Sequence, residues 1–330
     1  MAANTNSYLD KLRLLVASDM QLVDETIKQL VASYVDLIPE ICLHTISAGG
    51  KRLRPMLTLA TSKLCGYKGQ IHIDLATIVE FIHTATLLHD DVVDISKLRR
   101  GAKTANEVWG NKESILVGDF LLGRAFYLMA RAQSLEIYEI LSQAAMVISE
   151  GEVRQLMVIG NLNLKEEEYI EIIGAKTAEL FAASCEISAV LSEVEIDKQN
   201  ALKEYGYYLG LAFQITDDVL DYCADEELLG KNIGDDFREG KVTLPLLLAY
   251  KMANLDEKIA LDKIFLDLEN IADHTNIAIE LIKKYKTPEK SMLIAKNYAL
   301  AAKNSLAIFP NNKAKEALIL LLDFVTEREF

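Results

Sequence analysis

Two aspartate clusters of the same form stand far apart in this chain, and their spacing is suited to binding divalent metal ions. The first cluster consists of Asp90, Asp91 and Asp94. The second cluster consists of Asp217, Asp218 and Asp221. In an α-helix, residues four positions apart differ by only about 40° in direction, so the outer two aspartates of each cluster point the same way. Crowded carboxylates repel one another, and hard divalent cations with oxygen ligands relieve that repulsion.

An acidic run is more commonly a solvated helix face than a metal site. Here, however, residues rich in apolar side chains precede both clusters, in the ranges 81–89 and 209–216. Such residues ordinarily lie in the protein interior, so the helices that end in these aspartates are expected to be buried. We therefore predict that the two clusters face each other across one internal cavity.

The elements that must position these clusters are expected to be helices. Apolar residues recur at three- and four-residue spacing nearly everywhere, for example at Leu12, Val16 and Met20. The chain has 330 residues, of which 51% are hydrophobic and 25% charged, which by composition alone allows one large helical domain or two smaller ones. Short glycine-containing breaks and the lack of a flexible linker favour one all-α bundle spanning 1–330.

Composition also limits the classes of function. A formal charge of −14 argues against a nucleic-acid partner, because phosphate backbones require a basic surface. The four cysteines lack the spacing of a zinc site or a disulfide framework, which indicates a reducing compartment and predicts a cytoplasmic location. The N-terminus does not resemble a signal peptide, and the most apolar stretches are shorter than a membrane span, so we expect no export and no membrane crossing.

A second candidate site precedes Pro55, a residue suited to the first turn of a helix. The preceding loop, residues 49–54, contains two glycines and the cations Lys51 and Arg54. Exposed amides at a helix N-terminus, its positive dipole end and these cations together favour an anion such as phosphate. The alternative for this segment alone is a basic surface turn.

Taken in order, the motifs of this chain resemble those of the trans-type polyprenyl diphosphate synthases of the isoprenoid synthase fold. The matching motifs are 49–55, 83–94, 99–101, 176–177, 210–221 and 230–241. Each is weak alone, but their order is specific. The resemblance implies an all-α fold and a prenyltransferase that joins an allylic diphosphate to isopentenyl diphosphate by magnesium-assisted ionisation, with about three Mg²⁺ ions neutralising the leaving diphosphate.

The resemblance also assigns roles to residues of this sequence. It implies that the metal ions are held by Asp90, Asp91, Asp94, Asp217, Asp218 and Asp221. It implies that the allylic diphosphate is contacted by Arg99, Lys176 and Lys231, and Lys241 is a further basic candidate nearby. It implies that isopentenyl diphosphate binds without magnesium among Lys51, Arg54, His83 and Arg100. Outside such a motif a lone histidine is more commonly a satisfied core residue.

The resemblance places Thr177 and Gln214 near the reacting centre, where their dipoles stabilise positive charge. No histidine or carboxylate is an obvious general base, and the departing diphosphate is expected to accept the proton. Ala85 and Thr86 stand about one turn before Asp90, where short-chain members have bulky aromatic residues. These small side chains leave the path of the tail open, so we expect a long-chain product, most closely octaprenyl diphosphate for a quinone side chain. The alternative for both positions is ordinary close helix packing.

Three other functions remain open from the sequence. A shorter-chain synthase, making geranylgeranyl or farnesyl diphosphate, would share all the motifs. A terpene cyclase would share the aspartates but not need the loop 49–54, and a non-catalytic subunit of a heteromeric synthase could lose metal ligands. The resemblance further implies a homodimer formed through a helix such as 116–126, and a lipid product implies transient contact with a membrane surface.

Overall fold

The computed structural model describes residues 2–223 and 234–327, which form an almost entirely helical protein. The first helices are α1 (Ala2–Val31), α2 (Leu37–Ser47), α3 (Leu53–Leu64), α4 (Ile71–Val93), α5 (Ala105–Trp109) and α6 (Asn111–Arg131). The middle of the chain forms α7 (Leu135–Met157), α8 (Glu166–Ile173), a π-helical segment (Gly174–Ala178), α9 (Glu179–Leu191) and α10 (Ile196–Cys223). The predicted all-α fold class is confirmed.

The described part after residue 233 contains further helices and two short 3₁₀ turns. The helices are α11 (Asp235–Arg238), α12 (Leu244–Met252), α13 (Leu255–Phe265), α14 (Thr275–Tyr285), α15 (Thr287–Ser305) and α16 (Lys313–Thr326). The 3₁₀ turns are Leu268–His274 and Leu306–Ile308. Prolines start two of these helices, because Pro245 and Pro288 occupy first-turn positions where no backbone N–H is required.

Two long helices are central to the bundle and carry the aspartate clusters near their C-terminal ends. Helix α4 packs against α1, α3, α6 and α9, while α10 packs against α9, α15 and the π segment. Residues such as Phe81 and Leu209, which precede the clusters, are fully buried in this core. The prediction that buried helices lead into both clusters is therefore confirmed.

Helix α4 also bears on the membrane prediction. Among the described residues it is the one helix long and apolar enough to cross a bilayer by length and composition, which the sequence reading did not identify. Within its most apolar window, 67% of the residues are buried inside the protein, as in the core helix of a folded bundle. Its hydropathy is thus accounted for by packing against neighbouring helices.

Two glycines bring neighbouring helices close to the π segment. A Cβ atom added at Gly210 of α10 would lie 2.5 Å from the Cα of Ala178, and one added at Gly151 of α7 would lie 2.9 Å from the backbone nitrogen of Lys176. Any larger residue would therefore push these backbones apart. The two glycines hold the π segment, which contains Lys176 and Thr177, between α7 and α10.

A two-residue hairpin positions the neighbouring arginines. Strands β1 (Leu98–Arg99) and β2 (Ala102–Lys103) pair antiparallel, with Arg99 opposite Ala102. The two turn residues, Arg100 and Gly101, have φ angles of 53° and 78°. Positive φ at both central positions is typical of a type I′ turn, which matches the twist of the paired strands and explains the glycine at the second position. These short strands were not predicted from the sequence.

Apolar packing forms two buried clusters among the described residues, and both contact the half-buried tyrosines Tyr208 and Tyr298. This shared contact is compatible with one bundle, and the single domain 1–330 stays a prediction. Pro55 lies in the first turn of α3, as predicted, but α3 begins at Leu53, so Leu53 and Arg54 of the predicted loop 49–54 belong to the helix; Gly66 follows its end with a φ of 80°. Residues 230–233 of the motif 230–241 lie outside the described residues.

Candidate active site

One cavity of about 760 Å³ lies between the central helices, and residues of both aspartate clusters line it. Its size falls within the range typical of sites for small ligands, about 300–1,000 Å³. The acidic lining consists of Glu80, Asp90, Asp94, Glu152, Asp217, Asp218, Asp221, Asp235, Asp236 and Glu239. The basic lining consists of Lys51, Arg52, Arg54, Arg99, Arg100, Lys176 and Lys241. The predicted arrangement of two clusters around one cavity is therefore present.

The first cluster divides between the cavity and the interior. Asp90 and Asp94 line the cavity, whereas Asp91 is buried, with 2% exposure, and lies outside the cavity lining. Arg99 donates two hydrogen bonds to Asp91 Oδ1, from Nε at 2.9 Å and from Nη2 at 2.7 Å. One step along a helix turns a side chain by about 100°, which explains why neighbouring aspartates have different surroundings.

The second cluster divides in a similar way. Asp217 and Asp221 line the cavity on α10, and Asp221 Oδ2 accepts a hydrogen bond of 3.1 Å from the backbone N–H of Asp236. Asp218 is 4% exposed, and both of its oxygens accept hydrogen bonds, from the hydroxyl of Tyr169 at 2.6 Å and from Gln214 Nε2 at 2.7 Å. In each cluster, therefore, the middle aspartate is the buried member, and its side chain accepts two hydrogen bonds from protein side chains.

Two lysines of the cavity wall form ion pairs with neighbouring carboxylates. Lys176 donates to Glu152 at 2.7 Å and to Gln155 at 2.9 Å. Lys241 donates to Asp94 at 2.9 Å and to Glu239 at 2.6 Å. Burial opposes the charged form of Lys241, but the two carboxylates outweigh it and raise its pKa.

The charge of Asp90 is the least compensated of the first cluster. Burial raises its pKa to about 7; Lys176 acts in the opposite direction, and the negative charges of Glu152 and Asp94 add to the increase. Loss of water around a carboxylate disfavours its ionised form, and a positive charge nearby restores it. A cation placed beside Asp90 would therefore be stabilised by an electrostatic environment that now disfavours the bare carboxylate.

The donor set fits hard divalent cations. Asp90, Asp94, Asp217 and Asp221 offer carboxylate oxygens, the ligand type that Mg²⁺ and Ca²⁺ prefer. Across the described ranges 2–223 and 234–327, no three acidic, histidine or cysteine side chains converge closely enough to enclose a metal by themselves. The protein can thus supply part of a metal's coordination, and water or a bound diphosphate would complete it, as is usual for Mg²⁺.

A separate basic group lies against the N-terminus of α3. Arg54 is half-buried; its guanidinium stacks 4.5 Å from the centre of the Phe181 ring, and its Nη1 lies 3.1 Å from His83 Nε2. Arg100 lies against the loop because Gly50 has no side chain. A Cβ atom added at Gly50 would lie 2.5 Å from Nη1 of Arg100. Lys51 completes the group, 5.4 Å from the Phe324 ring centre.

Burial, together with the charges of neighbouring arginines, lowers the pKa values of two members of the basic group. Desolvation by burial lowers the pKa of Arg54 to about 10. Burial, followed by the charges of Arg54 and Arg100, lowers the pKa of His83 well below its ordinary value, so the imidazole is neutral at pH 7. Within the described structure, Arg54 Nε is a buried donor without a hydrogen-bond partner, which leaves it available to an anion.

Of the residues predicted at the reacting centre and along the path of the tail, all but one line the cavity. Thr177 Oγ1 donates to Gln214 Oε1 at 2.7 Å, and both residues line the cavity. Thr86 also lines the cavity, but Ala85 is fully buried in the core and lies outside the lining. Lys231 lies outside the described residues.

Several lining residues were missed by sequence reasoning. They are Glu80, Glu152, Gln155 and Tyr169. Glu80 stands one turn before His83 on α4, so helical spacing could have indicated it. The other three lie on α7 and α8, and isolated polar residues in amphipathic helices carry no signal that distinguishes a cavity from solvent.

Comparison with known proteins gives a consistent result. A family model described as polyprenyl synthetase matches residues 35–282. The chain belongs to the polyprenyl synthetase family. The family resemblance derived from the ordered motifs is therefore confirmed.

The relatives of this polyprenyl synthetase family member match nearly its whole length. Octaprenyl diphosphate synthase of Escherichia coli is 41% identical over 321 residues, covering 97% of this chain and 99% of the relative. A polyprenyl synthase structure from Caulobacter crescentus, complexed with calcium and isoprenyl diphosphate, has a TM-score of 0.94 and 49% identity, covering 97% of this chain and 98% of that one. A decaprenyl diphosphate synthase structure from Rhodobacter capsulatus has a TM-score of 0.92 and 44% identity, covering 97% and 100%.

Proposed function

We propose that this protein is a long-chain all-trans polyprenyl diphosphate synthase, a prenyltransferase that condenses an allylic diphosphate, such as farnesyl diphosphate, with successive molecules of isopentenyl diphosphate. The observation that carries the proposal is one cavity that has an acidic group suited to metal-bound diphosphate and a separate basic group suited to bare diphosphate. This reaction requires one diphosphate that binds through metal ions and a second that binds without them. The near full-length similarity to an octaprenyl diphosphate synthase supports the long-chain assignment.

The acidic group binds the allylic diphosphate through divalent cations. Asp90, Asp94, Asp217 and Asp221 would hold about three Mg²⁺ ions, with the middle aspartates of each cluster supporting them from the protein side. When bound, magnesium supplies charge neutralisation for the leaving diphosphate. Calcium in the complex of the Caulobacter relative is a cation of the same hard, oxygen-preferring type.

Basic side chains beside the acidic group orient the allylic diphosphate. They are Arg99, Lys176, Lys231 and Lys241. In the structure Lys176 and Lys241 are held by carboxylates on their neighbours, so both ammonium groups are already near the cavity before substrate arrives. Diphosphate oxygens can replace those carboxylates as acceptors. This pre-organisation reduces the cost of ordering flexible lysines in the complex.

The basic group binds isopentenyl diphosphate directly. Lys51, Arg54, His83 and Arg100 converge there, and the guanidinium fork of arginine matches phosphate oxygens in pairs. Burial of Arg54 strengthens its attraction to an anion, because the local dielectric is lower than that of water. The nearby carboxylate of Glu80 is occupied by an ion pair with Arg52, at 3.2 Å, so it is not offered to a metal ion.

Chemistry at the centre of the cavity needs stabilisation of positive charge and removal of one proton. The hydroxyl of Thr177 and the amide of Gln214 provide oriented dipoles for the charge. His83 is bonded to Arg54 within the basic group, which makes it a poor base. We therefore keep the departing diphosphate as the proton acceptor.

Product length depends on where the growing tail goes. Thr86 lines the cavity on α4 one turn before Asp90, and its small side chain leaves room for the tail to pass. This opening and the similarity to an octaprenyl diphosphate synthase support an octaprenyl product, which we propose is used for a quinone side chain. The shorter-chain alternative predicts geranylgeranyl or farnesyl diphosphate from the same site.

Assembly and location are proposed on surface features. Helices α6 and α7 expose apolar side chains, including Leu116, Phe126, Tyr127, Met146 and Val153, which support a homodimer formed through this face. The four cysteines, all among the described residues, are free thiols, which supports the cytoplasm as the location. Transient contact with a membrane surface would remove the apolar product.

One incubation tests the proposal. Purified protein, Mg²⁺, labelled isopentenyl diphosphate and a series of allylic primers should yield polyprenyl diphosphates, resolved by chromatography after dephosphorylation. Chelation by EDTA should abolish product, and so should replacing both Asp90 and Asp217 with alanine. Undiminished turnover under either condition contradicts the proposal.

The same incubation separates the alternatives. A cyclic product formed without isopentenyl diphosphate would identify a terpene cyclase. Inactivity of the pure chain, restored by a second protein, would identify a subunit of a heteromeric synthase. Retention of both clusters and the basic group in one cavity argues against each of these functions.

A further inference from the structure

Four side chains from three elements form a continuous hydrogen-bonded chain along the cavity wall. Tyr169 of α8 donates its hydroxyl proton to Asp218 Oδ2 at 2.6 Å, and Gln214 Nε2 donates to Asp218 Oδ1 at 2.7 Å. Thr177 of the π segment donates to Gln214 Oε1 at 2.7 Å. All four residues line the cavity.

Asp218 fixes the direction of this chain. A carboxylate can only accept hydrogen bonds, so it turns the NH₂ side of the Gln214 amide towards itself. The amide oxygen of Gln214 then faces Thr177, and the hydroxyl proton of Thr177 is committed to it. A hydroxyl that donates its single proton elsewhere presents only lone pairs to the cavity, which is the orientation that stabilises a developing positive charge.

Tyr169 is the far end of the chain and the member buried most completely. It is 3% exposed, and its hydroxyl oxygen lies 2.6 Å from Asp218 Oδ2. A carboxylate oxygen can only accept a hydrogen bond, so the phenol is the donor to Asp218. Without it, Oδ2 of a carboxylate that is 4% exposed would lose its donor.

We propose that Tyr169 is a positioning residue for prenyl transfer, which acts through Asp218 and Gln214 to direct the lone pairs of Thr177 towards the reacting carbon. This inference rests on the proposed function and extends it to a residue outside both aspartate clusters. It also gives Asp218 a second task besides supporting metal ions. The hydrogen-bonded chain of side chains thus couples the second aspartate cluster to the atom where positive charge develops.

The test uses Tyr169→Phe, which removes the hydroxyl and keeps the ring. The matched control is Tyr205→Phe, because Tyr205 is also fully buried and donates its hydroxyl proton, to the Leu318 carbonyl at 2.8 Å, but lies outside the cavity. Loss of a hydrogen bond to a charged group should lower kcat of Tyr169→Phe about 10- to 100-fold. The KM values of both diphosphates should change by less than about threefold, since the proposed diphosphate contacts are made by other side chains. Tyr205→Phe should keep wild-type kcat.

A double-variant comparison tests whether the chain acts as one unit. If Tyr169 works through Thr177, then adding Tyr169→Phe to Thr177→Val should lower kcat little further, whereas independent effects would multiply. Equal kcat values for Tyr169→Phe and Tyr205→Phe, or multiplied effects in the double variant, would overturn the inference. If the wild-type protein forms no prenyl product, the proposed function is refuted and this inference with it. If the wild-type protein is active but the variants give either of the results above, only this inference is refuted.

Discussion

Neighbouring aspartates of the first cluster should respond oppositely to the same substitution. Asp91 is 2% exposed and receives two charge-assisted hydrogen bonds from Arg99, while Asp90 lines the cavity and has a pKa raised to about 7 by burial. We expect Asp91→Ala to reduce the stability of the metal-free protein. Asp90→Ala should leave that stability unchanged or increased, because it removes a carboxylate whose ionised form burial disfavours.

The magnitude follows from the ion pair. Arg99 is 27% exposed and remains in contact with solvent, so Asp91→Ala costs about the value of hydrogen bonds to a charged group, about 1.5–3 kcal/mol. For 330 residues, an unfolding entropy of about 2.1 cal/mol/K per residue converts this cost into a fall in Tm of about 2–4 °C for Asp91→Ala. The backbone carbonyl of Asp91, which accepts from Asn106, is untouched by either substitution.

Thermal unfolding with EDTA at about pH 8, where the ionised form of a group with a pKa of about 7 predominates, measures the effect, and prenyl transfer with Mg²⁺ provides the second readout. Asp90→Ala should retain its Tm but lose activity. If Asp90→Ala lowered Tm as much as Asp91→Ala, or if Asp91→Ala unfolded like the wild type, the division of the cluster into a cavity member and a structural member would be wrong.

Two further predictions concern helix α4. Thr86→Phe should shorten the main product seen by chromatography, because the ring would project into the cavity; Ala85→Phe should instead lower stability by about 1–3 kcal/mol through overpacking, with little effect on length. Unchanged chain lengths with Thr86→Phe would contradict the placement of the tail. The folded pKa of His83 lies well below its ordinary value of about 6.5, so as pH falls below that value the unfolded chain binds a proton that the folded protein does not, and stability is lost. Urea unfolding between about pH 7.5 and about pH 5.5 should therefore show about 1.4 kcal/mol less loss in His83→Gln than in the wild type, and equal losses in the two proteins would contradict this prediction.

Much of the fold followed from local properties of the sequence. The periodicity of apolar residues specifies helices because one face of each must be buried, and glycine or proline marks their ends where the backbone requires it. The spacing Asp90 to Asp94 places two carboxylates on one side of a helix whatever that helix packs against. Ordered motifs were also sufficient to indicate the family, since their chemistry is tied to residue type and sequence order.

Tertiary structure decided which members of those motifs reach the cavity. The sequence gives Asp90 and Asp91 the same chemistry, but only packing against the β1–β2 hairpin, which carries Arg99, makes Asp91 a buried partner. Likewise Ala85 and Thr86 are adjacent, and one helical step places one in the core and the other on the cavity wall. Helix periodicity limits the choice of face, but neighbouring helices determine what each face meets.

The hydrogen-bonded chain from Tyr169 to Thr177 depends most strongly on tertiary structure. Its members are separated by up to 49 positions in sequence, and they meet because Gly210 allows α10 to approach the π segment. Sequence alone fixed the donors, the acceptors and the helices that carry them. Only the packed structure determined their partners, because hydrogen bonds act over about 3 Å and those distances are set by contacts between distant segments.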